Sequence, residues 1–123
     1  MIFLSPAAID YAVNMCFEEP RYNILMVTKY HGSASAVADT IRDRLINNEY
    51  RGEITRRMTT FYFENGSLIR VISSGERIPG FRANLVVVDI GVNREALDQA
   101  RSHELNDWAR YNAYHREIDE FPW

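Results

Sequence analysis

The chain has 123 residues, a formal net charge of −3, a single cysteine and 46% hydrophobic residues. That length fits one domain with enough apolar material for a core, and the acidic balance excludes nucleic-acid binding driven by overall charge. One cysteine, Cys16, excludes an internal disulfide framework and a thiolate zinc cluster, which makes the cytoplasm the expected location.

The apolar run at residues 1–4 has no basic segment before it and meets Pro6 at once, so neither a signal peptide nor a membrane span is expected there. Ser5-Pro6 is a helix start: the Ser side chain can accept from first-turn amides, and Pro sits where its missing N–H costs nothing. Ile9, Ala12, Val13 and Cys16 recur at helical spacing, giving an amphipathic helix over 5–18 that stops before Pro20. Residues 22–28 are too continuously apolar for a sheet with one wet face and read as an interior parallel strand. After Lys29-Tyr30-His31-Gly32, with Ser33 or Ser35 as cap, the residues Ala34, Val37, Ala38, Ile41 and Leu45 mark a helix over 33–48.

Arg51-Gly52 breaks the chain before an alternating stretch at 58–63, which Asn65-Gly66 joins to 67–73. Asn-Gly between β-rich runs signals a hairpin with a type I′ turn. Residues 73–83 have no period and read as an exposed loop leading to a buried strand at 85–90. From Asn93 an amphipathic pattern extends to about residue 118, and the tail at 120–123 ends in two aromatics suited to docking. The expected architecture is a single three-layer α/β domain over residues 1–123, with a mostly parallel central sheet, strands 22–28 and 85–90 parallel to each other, and a hairpin centred on Gly66.

A strand, a small-residue loop and a helix start make an anion site, because the first helical amides are unpaired. His31, Gly32, Ser33 and Ser35 are therefore nucleotide- or phosphate-binding candidates, although the same pattern also describes an ordinary capped turn. The G-x-x-x-x-G-K-[ST] arrangement is missing from the chain. Residues 24–45 resemble the first strand, loop and helix of flavodoxin-like proteins, whose corresponding loop wraps a flavin phosphate.

A second resemblance lies over residues 61–90. Phe61, Phe63, Glu64, Asn65-Gly66-Ser67, Ile69, Ser73-Ser74, Gly80 and the strand Leu85 to Asp89 are similar to the ATPase core of tailed-phage terminase large subunits, which package DNA. The likeness extends over about 22–92. It implies a terminase/RecA-like (helicase-type) motor fold of viral or bacteriophage origin, and a host-cell cytoplasmic location. By that resemblance Asp89 would be the metal-side acid. The sequence departs from the family pattern where Pro79 occupies an arginine position, and three departures count against activity: Ile90 replaces the second acid, the phosphate-loop lysine is lacking, and no nuclease domain is expected. Catalysis is accordingly not expected of the chain alone, and magnesium and ATP would enter only if another polypeptide supplied the missing parts. Read without the family, Asp89 is a strand-end carboxylate capping the turn at 91–94.

Arg70, Arg77 and Arg82, with Arg51, Arg56 and Arg57 upstream, are DNA-contact candidates, and Tyr62 and Tyr30 are available for stacking. His31, His103 and His115 have no metal-ligand spacing, and the last two read as solvated histidines on a polar helix. The expected function is a catalytically incomplete motor-core protein acting as a DNA-packaging accessory or binding module, with DNA or a phage packaging component as partner. Two alternatives stand beside it. One is a small nucleotide- or flavin-phosphate binder; the other is a homo-oligomeric structural protein joined through Trp108, Tyr111, Tyr114, Phe121 and Trp123.

Overall fold

Two runs of consecutive apolar residues, one ending at Thr28 and the other at Val88, need burial on both sides, and a central pair of strands provides it. The computed structural model describes residues 1–29, 32–47, 54–76 and 80–104. Strands β1 (Ile2–Phe3), β2 (Asn23–Thr28), β3 (Ile54–Arg57), β4 (Thr60–Phe63), β5 (Leu68–Ser73) and β6 (Leu85–Val88) form one six-stranded sheet in the order β1-β6-β2-β5-β4-β3. β1, β6, β2 and β5 run parallel, and β4 and β3 complete one side as an antiparallel meander. β2 and β6 are neighbours, with Ile24 opposite Leu85 and Val27 opposite Val88, so the parallel pairing expected of these runs is present.

Among the described residues three helices cover the sheet: α1 (Pro6–Glu18), α2 (Ser33–Asn47) and α3 (Arg94–Arg101). Strand alternation sends Ile24, Met26, Ile69, Val71, Leu85, Val87, Phe61 and Phe63 to one face, where Ala8, Ile9, Ala12, Val13 and Cys16 of α1 and Ala34, Ala38 and Ile41 of α2 close over them. The other face presents Leu25, Val27, Ile72, Val86 and Val88 to Leu97 and Ala100 of α3. All four β6 side chains are buried, and each contributes about 1.5–3 kcal/mol of apolar transfer. The fold is thus an α/β sandwich on a mixed sheet. α1 starts as its sequence implies: Ser5 Oγ accepts from Ala8 N at 3.0 Å and Pro6 opens the first turn.

Several details differ from the sequence expectation. β1 has two residues and β3 four, too short to carry a period, and both were unforeseen. The hairpin joining β4 to β5 is present, but its turn is not type I′. Gly66 N donates to Phe63 O at 3.0 Å and Phe63 N to Ser67 O at 2.9 Å, enclosing a three-residue loop in which only Gly66, at φ +87°, is left-handed. α3 stops at Arg101, where the Ser102 hydroxyl turns back to Gln99 O at 2.5 Å; the rest of the helix expected to reach residue 118 lies outside the described residues. His103 is buried rather than solvated. It sits in the turn after α3 with Nδ1 3.2 Å from Phe81 O, and its own carbonyl accepts from Ala83 N at 2.7 Å.

Candidate functional site at the exits of β2 and β6

β2 and β6 lie side by side, yet the chain leaves β2 for α2 on one face and leaves β6 for α3 on the other. Adjacent parallel strands whose connections part to opposite faces leave a crevice beyond their carboxyl ends, the usual ligand position in open α/β sheets. Two charged side chains flank this one. Asp89 follows β6, its backbone N–H continues the ladder to Val27 O at 2.9 Å, and its Oδ2 accepts from Lys29 N at 3.2 Å. The Lys29 side chain crosses back over the β6 exit: a Cβ on Gly91 would lie 3.2 Å from Lys29 Nζ. Gly91, at φ +94°, occupies the third position of a turn closed by Val92 N and Asp89 O at 3.4 Å, so a side chain there meets both backbone strain and the lysine.

The carboxylate of Asp89 therefore ties the exit of β6 to the exit of β2, and the turn after it is closed by the main-chain carbonyl. This corrects the expectation that the side chain caps its own turn. Ile90, the residue after Asp89, is 71% exposed. Gly32 is exposed, Ser33 is the first residue of α2 and half-buried, and Ser35 is an exposed residue inside the helix rather than a cap. Thr28 and Ser73 line the same ends of β2 and β5, with Thr28 Oγ1 donating to Ile72 O at 3.2 Å.

Among the described residues no group of three or more His, Cys, Asp or Glu side chains could hold a metal, and one Asp89 oxygen is engaged by an amide. A magnesium ion on one carboxylate would draw most of its ligands from phosphates and water, and the lysine-bearing loop that cradles such phosphates is missing from the sequence.

Asn65-Gly66-Ser67, prominent in the sequence, is a structural clasp. Asn65 Nδ2 donates to Cys16 O at 2.7 Å and Glu19 O at 3.3 Å, while its Oδ1 accepts from Ser67 N at 3.0 Å. The Ser67 hydroxyl donates to Glu19 O at 2.7 Å and accepts from Tyr22 N at 3.0 Å. The hairpin thereby satisfies carbonyls at the end of α1 that have no helical partner.

The arginines divide by face. On the α1/α2 side, Arg44 pairs with Asp10, Arg56 with Asp39 at 2.9 Å, and Arg42 with Asp39 and Asp43 at 3.9 and 3.5 Å. Arg70 lies on the other face of β5 with its guanidinium 5.9 Å from the Phe81 ring centre, and exposed Arg82 follows Phe81. His31, Arg77, Trp108, Tyr111, Phe121 and Trp123 lie outside the described residues, as do Tyr30, Arg51, Tyr114 and His115. Lys29, a loop residue by sequence, is marked only by its place immediately after a buried strand. No described helix is long and apolar enough to cross a membrane. No family model, curated protein or solved structure matches the chain.

Proposed function

We propose that the chain is a catalytically incomplete terminase- or helicase-like ATPase-core protein of viral or prophage origin, acting as a DNA-packaging accessory or binding module. The supporting observation is the β6 exit: an apolar strand parallel to and beside β2 ends in a single carboxylate, Asp89, followed by exposed Ile90. A motor needs a second acid there to polarise water and a phosphate loop to hold the triphosphate, and residues 1–123 supply neither. A binding role keeps the scaffold and dispenses with both. Purified protein should show no magnesium-dependent ATP turnover above buffer; turnover that Asp89→Asn abolishes would overturn the reading.

A second reading, a small nucleotide- or flavin-phosphate binder, draws on the Lys29 side chain beside the β6 turn and on α2 beginning four residues after Lys29. A melting temperature that climbs with added ADP or flavin mononucleotide would favour it over the first.

A further inference from the structure

Among the described residues no helix lies over half of one sheet face. α3 packs above β6 and β2, and the strand register places Arg57, Thr60 and Arg70 in one cross-strand row on that same face, with Thr55, Tyr62, Leu68 and Asn23 in the next. Tyr62 is 44% exposed, while its neighbours in sequence, Phe61 and Phe63, are buried on the opposite face. The two rows put Tyr62 diagonally between Arg57 and Arg70, about 7–8 Å from each backbone position. The row containing Tyr62 ends at Asn23, whose Nδ2 donates to Arg82 O at 3.4 Å, bringing a third arginine to its edge.

Charge separates this face from the other. Arg42, Arg44 and Arg56 are neutralised by Asp10, Asp39 and Asp43. Among the described residues Arg57, Arg70 and Arg82 have no carboxylate partner, and the Phe81 ring under Arg70 holds its guanidinium without cancelling its charge. A net charge of −3 therefore conceals a local positive face with an aromatic ring at its centre.

We infer that this uncovered face of β3, β4 and β5 binds single-stranded nucleic acid, a base stacking on Tyr62 and phosphates lying on Arg57, Arg70 and Arg82. A flat ring flanked by unpaired guanidinium groups on an open sheet accepts unstacked bases. A duplex hides its base faces and would use the arginines alone. The inference goes beyond the proposed motor kinship and needs neither nucleotide nor the β6 exit. ATP turnover would remove the proposed function and leave this face untouched.

The test is fluorescence anisotropy of the full chain with labelled oligothymidine and a labelled duplex of equal length, between 50 and 200 mM salt. Three phosphate contacts predict a log–log salt slope near −2, so affinity falls roughly twenty-fold over that range. Each of Arg57→Ala and Arg70→Ala should flatten the slope by about 0.7. Tyr62→Ala should weaken oligothymidine binding about ten-fold or more without changing the slope, and Tyr62→Phe should restore it. Circular dichroism on each variant separates lost binding from lost fold. No binding at 50 mM salt, equal affinity for Tyr62→Ala and the parent, or tighter binding to the duplex would overturn the inference. So would a dimer in light scattering that Tyr62→Ala dissolves while oligothymidine is ignored, since the face would then belong to a second copy.

Discussion

Replacing Ser67 with Ala tests the clasp between the hairpin and the end of α1. Ser67 is buried, and its hydroxyl serves two main-chain groups: it donates to Glu19 O at 2.7 Å and accepts from Tyr22 N at 3.0 Å. Glu19 O keeps a second donor in Asn65 Nδ2, so its loss amounts to one ordinary hydrogen bond, about 0.5–1 kcal/mol. Tyr22 is buried, and its N–H would be left with no acceptor and no ready access to water, at about 1–3 kcal/mol. The sum is about 1.5–4 kcal/mol. For a chain of this length it lowers Tm by roughly 6–16 °C, and with a urea m-value of about 2 kcal/mol/M it moves the midpoint down by about 0.8–2 M. Ser35→Ala is the control: an exposed serine within α2 exchanged for a better helix former should be neutral or stabilising by a few tenths of a kcal/mol. Urea denaturation followed by circular dichroism reads both. A Ser67→Ala midpoint within about 0.3 M of the parent at unchanged m would show that the hydroxyl bonds carry no net stability.

Cys16 should resist alkylation by iodoacetamide in the native protein and react at once in urea, because burial raises its thiol well above the ordinary value and removes the nucleophilic thiolate; rapid native labelling at pH 8 would contradict its burial on the sheet-facing side of α1. Met58 holds φ +56° and is 90% exposed, so Met58→Gly should relieve backbone strain with little lost packing and raise stability by roughly 0.5 kcal/mol after the added unfolded-state entropy, measured by thermal melts against Met58→Ala. Asp89→Ala should cost about 1 kcal/mol by leaving the Lys29 amide without its acceptor, whereas Asp89→Asn keeps an oxygen there and should cost less; equal losses would mean that the bond at 3.2 Å contributes nothing.

The parts legible in the sequence are those whose cause is local. Ser5-Pro6 and Pro20 bracket α1 because capping and the pre-proline restriction act over a few residues. β2 and β6 announced their burial because four or more consecutive apolar residues have no amphipathic solution. β1 and β3 stayed hidden for the opposite reason. Two residues cannot show alternation, and Ile54-Thr55-Arg56-Arg57 gains its strand identity from pairing with β4 rather than from its own composition. The turn at Gly66 was read as type I′ because Asn-Gly permits it. Asn65 instead keeps a negative φ and spends its side chain on α1, a demand set by a helix 46 to 49 positions away that no local rule reports.

The same distinction governs the two candidate surfaces. Asp89 could be singled out at once, since an acid ending an apolar strand is a contiguous pattern, but its bond to the Lys29 amide depends on β6 lying next to β2 across sixty residues of chain. Arg57, Tyr62 and Arg70 form no motif: their spacings of five and eight residues do not follow one helix or strand period throughout. They share a face only because a tight turn after β3 and a three-residue loop after β4 set two antiparallel registers in succession. A one-residue change in either loop would slip a register, send Tyr62 or its flanking arginines to the α1/α2 side, and bring Phe61 into solvent. The burial of Phe61 and Phe63 is therefore what fixes the positive face, since the energy that holds those rings under the helices also holds Tyr62 outward between two guanidinium groups.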